Sequence, residues 1–433
     1  MRPYRLVATI GLLGIVSAGC AAATPASVSP GLSSAAPSGP PASPQASPSQ
    51  SGSGWVTDLA TIDQRVRADH PEPFAIHPES EWTAMLAALE TSLPVATPDE
   101  QVAQLQGLVG LLDTHSGMDG PSHIYPIRFY RFPEGWFVVR ARDESLVGSR
   151  LVAIGETPVD DVEAMLHPLA PADNETGKLL AMQYLLGTVE LLHGLGLVDD
   201  PAKPGLVLER PDGSRVTVDP APELPDDGFG LETVGSLEGD ANEAVARRAE
   251  PVWTRIDKAS KTFVLSYNDY TETDLQPALE AMDAALDDGS AERVVIDMRY
   301  LQGGNGSLAS PLIEAVKSDD RINRPGGLSV LIGRENFSAG TVVAGALDRE
   351  TEGVLIGEPT PARADGFLCP CSDITLHSSP YVITIPTDFL ANGDTRDAVM
   401  PDIPLDLTAA DFFAGKDPAL ELALSGAQPT PSP

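Results

Sequence analysis

Short apolar runs alternate with amphipathic stretches through residues 251–426. The runs are TFVLSY, RVVIDMR, LSVLIG and GVLIGE, and between them apolar residues recur every three or four positions, as on one face of a helix. Strands that alternate with helices in this way predict an α/β domain with a largely parallel sheet and right-handed crossovers. Two later strands, DITLHS and YVITIPT, and a last helix near DPALELAL are expected to complete this domain.

The preceding part of the chain shows two other patterns. From 55 to 120, apolar positions recur at helical spacing in three stretches, which predicts a small helical N-terminal domain. From 121 to 222 the pattern changes to short strands, so we expect a β-rich domain, with a helical insertion over about 159–197. Residues 223–250 are acidic and loop-like and are predicted to be a linker, and residues 427–433 are predicted to be disordered.

Residues 1–20 read as an export signal. Arg2 and Arg5 precede an apolar run, Leu6–Val16, that is too short for a comfortable membrane span. The run ends in Ser-Ala-Gly-Cys, which resembles a bacterial lipoprotein cleavage box with Cys20 as the lipidated residue. An ordinary cleaved signal is the alternative interpretation.

Residues 21–54 consist almost entirely of Ala, Ser, Pro and Gly. Such a segment cannot bury enough apolar surface to offset the entropy of ordering, so it is predicted to be a disordered tether. Together with a lipidated Cys20, it would hold the protein on the outer face of the cytoplasmic membrane, in a bacterial cell envelope.

Charge and cysteine content exclude other classes of protein. The formal net charge of −34 argues against a nucleic-acid partner, which requires clustered Lys and Arg. Three cysteines do not make a disulfide scaffold. Cys369 and Cys371 flank Pro370, where a bridge would close a very small ring, and the pair also lacks the further ligands of a zinc site, so its state stays open. The sequence implies no metal and no organic cofactor.

Candidate chemistry concentrates between Val294 and Leu347. Ser338 stands at a predicted strand-to-helix junction, where the first helical N–H groups favour negative charge. Gly303 and Gly304 follow the preceding strand and allow backbone amides to approach closely. These parts could supply the nucleophile and the oxyanion pocket of an acyl-transfer site. The alternative is that Ser338 only caps a helix.

Four motifs carry a resemblance to a known family. IDMRYLQGG (296–304), FSAG (337–340), IGEPT (356–360) and PDI (401–403) are similar to motifs of the tail-specific serine proteases. That family includes the C-terminal processing peptidases, the tricorn core protease and interphotoreceptor retinoid-binding protein. The resemblance covers about 55–425. It implies a crotonase-like α/β catalytic domain and peptide or protein substrates, and it agrees with a PDZ-like strand-turn-strand pattern at Leu146–Gly155.

The resemblance also bears on the catalytic base. One branch of the family uses a Ser–Lys dyad, but Arg363 stands at the lysine position here, and arginine stays protonated. The other branch is similar to tricorn, in which a histidine from the N-terminal helical region reaches the serine. His115 in LLDTHSG matches that motif, so His115 is the expected general base for Ser338.

The remaining site residues come from the resemblance as well. The oxyanion donors would be the N–H groups of Gly303 or Gly304 and of Ala339. The acidic residue that orients the histidine is expected near the PDI motif, where Asp397 is the first choice and Asp394 the second. The other histidines have no motif partners: His70 and His77 are expected to be turn or packing residues, and His123, His167, His193 and His377 are expected to be structural.

Three functions remain open on this basis. The first is a membrane-tethered serine peptidase that uses Ser338 and His115. The second is a catalytically silent module that binds a lipid or peptide on the same fold. The third is a hydrolase of non-peptide esters, although Asn336 replaces the first glycine of a G-x-S-x-G elbow, which argues against an α/β-hydrolase esterase.

Overall fold

A computed structural model describes residues 52–225, 242–269, 273–301 and 303–428 of the protein. The export signal with Cys20, nearly all of the tether, residues 226–241 of the linker and the tail beyond 428 lie outside the described residues. Within the described ranges, none of the helices is both long and apolar enough to cross a bilayer.

The order of the helices and strands largely matches the order that the hydrophobic pattern predicts. The α-helices are α1 (Gly52–Asp69), α2 (Glu79–Ser92), α3 (Pro98–Val109), α4 (Val159–Leu166), α5 (Glu175–Leu185), α6 (Val189–Gly194), α7 (Glu243–Ala246), α8 (Gln276–Asp287), α9 (Ser310–Ser318), α10 (Ala339–Glu350), α11 (Ala409–Phe413) and α12 (Pro418–Leu424). The strands are β1 (Gly117–Asp119), β2 (Ile127–Phe132), β3 (Gly135–Ala141), β4 (Arg150–Ile154), β5 (Thr157–Pro158), β6 (Leu206–Glu209), β7 (Arg215–Val218), β8 (Val252–Asp257), β9 (Thr262–Tyr267), β10 (Arg293–Asp297), β11 (Leu328–Ile332), β12 (Val354–Gly357), β13 (Phe367–Thr375), β14 (Val382–Phe389) and β15 (Ile403–Pro404).

A six-stranded sheet in the order β15-β12-β11-β10-β9-β8 forms the centre of the C-terminal part. Within this sheet the neighbouring strands β9, β10, β11, β12 and β15 are parallel, and only β8, at the edge, pairs antiparallel. Every residue of β9 and β11 is buried, as expected for parallel strands covered on both faces. The predicted alternation is therefore correct. The pattern missed β8 because most of its residues are only half-buried.

The strands β13 and β14, which were expected to complete this domain, do not join its parallel sheet. They form a separate three-stranded antiparallel sheet with β1, in which Gly117 pairs with Thr384. Ile374 and Ile383 of this sheet share one core with Trp55 of α1 and with further apolar side chains of α2 and α3. The helices near the N-terminus thus bury their apolar faces against strands from the far end of the chain. Cys369 and Cys371, whose state was open, form a disulfide in β13.

The middle part is an antiparallel sheet in the order β2-β3-β4-β6-β7, with β5 paired to β4. The helices α4, α5 and α6 interrupt it where a helical insertion was predicted, and their apolar side chains fill one core with those of the strands. The segment 146–155 contains one strand, β4, after a 3₁₀ turn that ends at Leu146, rather than two strands joined by a turn.

A largely buried arginine ties the C-terminal helix to the end of β10. The Arg299 guanidinium bonds both oxygens of Asp297, at 2.9 and 2.7 Å, and both oxygens of Asp417, at 2.8 and 2.7 Å. Asp417 in turn caps α12 by accepting from the N–H of Leu420 at 3.1 Å. The arginine of the IDMR motif therefore has a structural role, because its planar fork satisfies two carboxylates at once.

A second arginine ties the middle sheet to the end of β11. Arg334 bonds both carboxylate oxygens of Glu358, at 3.0 and 2.5 Å, and donates to the carbonyl of Arg131 at 2.8 Å. Its guanidinium lies 4.4 Å from the ring centre of Tyr130. Both arginines lie at the carboxyl ends of parallel strands, so they fix the surroundings of the loops that follow these strands.

Candidate active site

The two motifs that suggested acyl transfer meet at the carboxyl edge of the parallel sheet. β10 and β11 are neighbours, with Asp297 aligned with Leu331, so the chain leaves both strands at the same edge. The turn with Gly303 and Gly304 follows β10, and the segment that leads to Ser338 follows β11. In open α/β sheets, ligands bind outside the carboxyl ends of the strands.

Ser338 has a strained backbone and does not cap the helix that it precedes. Its φ of 53° and ψ of −120° put it in a region that L-residues rarely adopt, and its side chain makes no capping hydrogen bond to α10. Among the described non-glycine residues only Lys261 shares a positive φ. Ser338 is partly exposed, whereas the residues on either side of it are buried. The helix-capping alternative is therefore excluded.

The glycine turn lies directly against this serine. Gly303 and Gly304 have φ values of 146° and 130°, which favour glycine. A Cβ added at Gly303 would lie 3.0 Å from the Cβ of Ser338 and 3.5 Å from its Oγ. Of the predicted oxyanion residues, Gly303 thus lies against Ser338, and Ala339 follows it as the first residue of α10.

A second close approach docks the same turn on the start of α10. The N–H of Phe337 donates to the carbonyl of Leu301 at 3.1 Å. A Cβ added at Gly340 would lie 2.2 Å from that carbonyl oxygen and 2.7 Å from Nδ2 of Asn336. Asn336 is completely buried, and neither atom of its amide has a hydrogen-bond partner within the described residues. The sequence singled out Asn336 only as a departure from another motif.

His115 reaches this region from the other end of the chain. It follows α3 and precedes β1, whose pairing with β14 fixes its position. The imidazole packs on Phe337, the neighbour of Ser338, with ring centres 4.4 Å apart. Among the described residues neither ring nitrogen has a hydrogen-bond partner, so no bond joins His115 to Ser338 here. Burial lowers the pKa of His115 to about 4, although the charge of Asp113 opposes the shift, so the imidazole is neutral at pH 7.

Buried carboxylates hold the segment that carries His115. Asp113 accepts from the main-chain N–H of His115 at 2.8 Å and from Oγ of Ser116 at 2.7 Å. Asp173 accepts from the N–H of Thr114 at 3.1 Å, and Thr114 Oγ1 donates to the carbonyl of Pro361 at 3.1 Å. Neither Asp113 nor Asp173 was among the site residues that the sequence predicted. A charged residue two positions before the histidine, just after an apolar helix, was the available signal for Asp113.

The acidic residues chosen from the sequence are not bonded to the histidine. Asp397 is exposed; its main-chain carbonyl accepts from Nδ2 of Asn174 at 2.7 Å, which brings the segment near the site but leaves the carboxylate at the surface. The Asp394 carboxylate bonds Arg396 at 2.6 Å and Arg349 at 2.9 Å, and these hydrogen bonds lower its pKa to about 2. Asp394 is therefore part of a structural ion-pair cluster.

Arg363 does not take the place of a catalytic lysine. Its guanidinium bonds Asp365 at 3.1 Å and lies 5.8 Å from the ring centres of both Phe367 and Phe389. Over the described stretches, His, Cys, Asp and Glu side chains do not gather in any group of three or more suited to a metal ion.

Comparison with known proteins supports the resemblance at the level of the fold. No protein-family model matches the sequence, and no curated protein matches it. Among solved structures, mature CPAF complexed with lactacystin matches at a TM-score of 0.60 and 14% identity, over 87% of this chain and 99% of that chain. A crystal structure of mature CPAF matches at 0.57 and 15%, over 86% and 96%. The tricorn protease matches at 0.38 and 13%, over 86% and 36%, which is too loose to support an argument.

The chain shares its fold with mature CPAF, a peptidase of the tail-specific type. The TM-scores of the CPAF structures, 0.60 and 0.57, support this conclusion although the sequence identity is low. The resemblance first drawn from the IDMRYLQGG and FSAG motifs is thus confirmed for the fold. At this low sequence identity the roles of individual residues have to be argued from the geometry of the site.

Exchange of Gly340 for alanine tests the docking of the turn. Gly340→Ala should lower the free energy of unfolding by about 1 to 3 kcal/mol, because the new methyl would overlap the Leu301 carbonyl and force the backbone apart. Gly107→Ala in α3 is the matched control, since its Cβ would meet Cδ2 of Leu169 at an ordinary 3.5 Å. Chemical denaturation measures both. Equal stability of the two variants would contradict the close packing.

Proposed function

We propose that the protein is a serine endopeptidase in which Ser338 is the nucleophile and His115 the general base. The observation that carries the proposal is the strained, uncapped and partly exposed Ser338 in contact with the Gly303 turn. Strain of this kind persists where the surrounding structure enforces it, and it concentrates at functional sites. The side-chain oxygen of a structural serine at a helix start would instead accept a hydrogen bond from an N–H of the first helical turn.

The proposed chemistry uses the neutral imidazole of His115. It accepts the Oγ proton of Ser338 while Oγ attacks the carbonyl carbon of the peptide, and it then gives that proton to the leaving amine. The N–H groups of Gly303 or Gly304 and of Ala339 stabilise the oxyanion, and loss of one such donor would raise the barrier by roughly 3 kcal/mol. A water molecule, deprotonated by His115 in the same way, then attacks the acyl-enzyme and releases the second product together with the free Ser338. Hydrogen bonds between base and nucleophile often tighten only when substrate binds.

The same proposal assigns the two sheet domains. The parallel strands β9, β10, β11, β12 and β15, with α8, α9 and α10 on one face, are consistent with a crotonase-like catalytic domain. The antiparallel sheet from β2 to β7 with α4 is a candidate PDZ-like domain that would capture peptide or gate the site. Both assignments follow from the resemblance.

We further propose that Cys20 is lipidated and tethers the peptidase to the outer face of the cytoplasmic membrane. The support is the signal-like sequence of residues 1–20 and the Ala-, Ser- and Pro-rich composition that follows. In a bacterial host, metabolic labelling with a radioactive fatty acid should mark the wild type and not Cys20→Ser. Equal labelling of the two, or labelling of neither, would contradict the anchor.

A catalytically silent binding module is the alternative. The specific observation in its favour is that neither nitrogen of His115 is hydrogen-bonded within the described residues and that the Asp397 carboxylate is exposed. A binder would hold a peptide or lipid without turnover, and its affinity would not depend on the Ser338 hydroxyl. The peptidase is favoured because a binding site has no need of a strained serine.

Substitution of the two proposed catalytic residues tests the peptidase directly. Ser338→Ala and His115→Ala should each abolish hydrolysis of casein and of a fluorogenic peptide library while the circular dichroism spectrum is retained, because each removes one partner of the proton transfer. Ser318→Ala is the matched control, since its hydroxyl only donates to the carbonyl of Glu314 at the end of α9. Undiminished hydrolysis by Ser338→Ala would refute the proposal.

The pH dependence tests the state of the base. With a His115 pKa of about 4, the base stays neutral until the medium becomes strongly acidic. Activity should therefore keep about nine-tenths of its value at pH 5, where a histidine of ordinary pKa 6.5 would leave about 3%. The measurement is kcat/KM for a neutral fluorogenic peptide between pH 3.5 and pH 8. An acidic limb near pH 6.5 would show that the working base is not the buried His115.

A further inference from the structure

A second histidine is buried behind the proposed base, although the sequence predicted only a turn or packing role for it. His70 follows α1, and its Nε2 lies 2.7 Å from Oδ2 of Asp113, with both side chains only 1% exposed. The N–H of Glu72 donates to Nδ1 of His70 at 3.2 Å. Because Nδ1 is the acceptor, the proton of the neutral ring is on Nε2, and His70 donates to Asp113.

Asp113 thereby receives three donors. They are Nε2–H of His70, Oγ–H of Ser116 and the main-chain N–H of His115. Burial opposes the charged form, yet the hydrogen bonds that Asp113 accepts from His70 and Ser116 hold its pKa below the ordinary value. A buried carboxylate with three donors stays ionised, so a fixed negative charge lies beside the proposed base.

The other charged groups around this pair do not supply that charge. Asp173 accepts from the N–H groups of Thr114 and Arg363, but burial and the neighbouring charge of Asp113 raise its pKa. The Arg363 guanidinium is bonded to Asp365. Aromatic rings complete the surroundings: Phe337 packs on His115, and Phe367 lies 5.0 Å from the ring of His70. Asp113 is therefore the carboxylate best placed to act on the imidazole.

We propose that Asp113 and His70 are positioning residues for His115: Asp113 fixes the backbone of the base and stabilises its imidazolium, and His70 holds Asp113 in place. This inference rests on the proposed peptidase function. It assigns to Asp113 the orienting role that was expected of Asp397. Asp113 lies far from the PDI motif in the sequence, so that motif could not indicate it. Proton transfer to a buried imidazole creates a charge in a poorly hydrated site, where a fixed opposite charge acts strongly.

The test compares variants of His70 that separate its hydrogen bond from its volume. His70→Phe keeps a ring against Phe367 but removes the donor to Asp113, whereas His70→Gln retains an N–H donor. We expect His70→Phe to lower kcat about tenfold with KM unchanged, and His70→Gln to stay within about twofold of the wild type. Asp113→Asn should lower kcat at least about tenfold, and Ser116→Ala, the mildest change, about threefold.

Two further variants complete the design. His193→Phe is the matched control, because His193 also pairs with a carboxylate, Asp99, at 2.6 Å, but away from the site; it should leave kcat unchanged. Asp397→Asn tests the rival acid and should change kcat less than Asp113→Asn. All kcat values refer to a fluorogenic peptide that the wild type cleaves and Ser338→Ala does not, below the melting temperature of each variant.

The outcomes separate the two levels of the argument. If the wild type shows no hydrolysis that depends on Ser338, the proposed function fails. If the wild type is active but His70→Phe and Asp113→Asn keep its kcat, the positioning role is overturned. Equal losses in His70→Gln and His70→Phe would reduce His70 to a packing residue and also overturn it. Should His70→Phe and Asp113→Asn fail to fold, an unchanged kcat in Ser116→Ala would count against the role, and a reduced kcat with KM unchanged would support it.

Discussion

The site depends on backbone packing so close that it admits only glycine at certain positions. The turn after β10 rests on the first residues of α10, where the Leu301 carbonyl occupies the space that a side chain at residue 340 would need. The same contact presses Gly303 against Ser338 and accompanies the unusual φ of the serine. Because both segments leave adjacent parallel strands, the register of β10 and β11 sets this contact. A shift of either loop would release the strain and separate the serine from the amides beside it.

The proposed base, His115, reaches that contact through a different set of interactions. His115 belongs to the segment between α3 and β1, and β1 is held by β14 from the end of the chain. The apolar core shared by α1–α3 with β13 and β14 therefore positions a residue that the parallel sheet cannot reach by itself. Next to this core His70 is paired with Asp113 and Thr114 with Asp173, while the imidazole of His115 is left unbonded among the described residues. An unpaired buried polar ring costs stability, which is a reason to expect that it serves a ligand or substrate.

The sequence predicted local features well and partnerships less well. The fully buried strands β9 and β11 and the glycine turn can be predicted from neighbouring residues, because burial on both faces and positive φ leave a local pattern. The half-buried edge strand β8 leaves no such local pattern. The pattern of β13 and β14 shows that they are strands but not which sheet they join, since β1 lies more than 200 residues away. Asp397 was chosen because it lies near the PDI motif, and His70 was set aside. Burial and hydrogen bonding across the chain, which decide which acid meets which histidine, leave no local pattern.

The central claim is that Ser338 is an activated nucleophile and that His115 activates it. The most direct measurement treats the folded protein with a fluorophosphonate probe and maps the adduct by mass spectrometry, in the wild type and in His115→Ala. The account predicts a single adduct on Ser338, formed at least about a hundredfold more slowly without His115. No adduct in the folded wild type, or labelling of Ser338 at the same rate in His115→Ala, would contradict it.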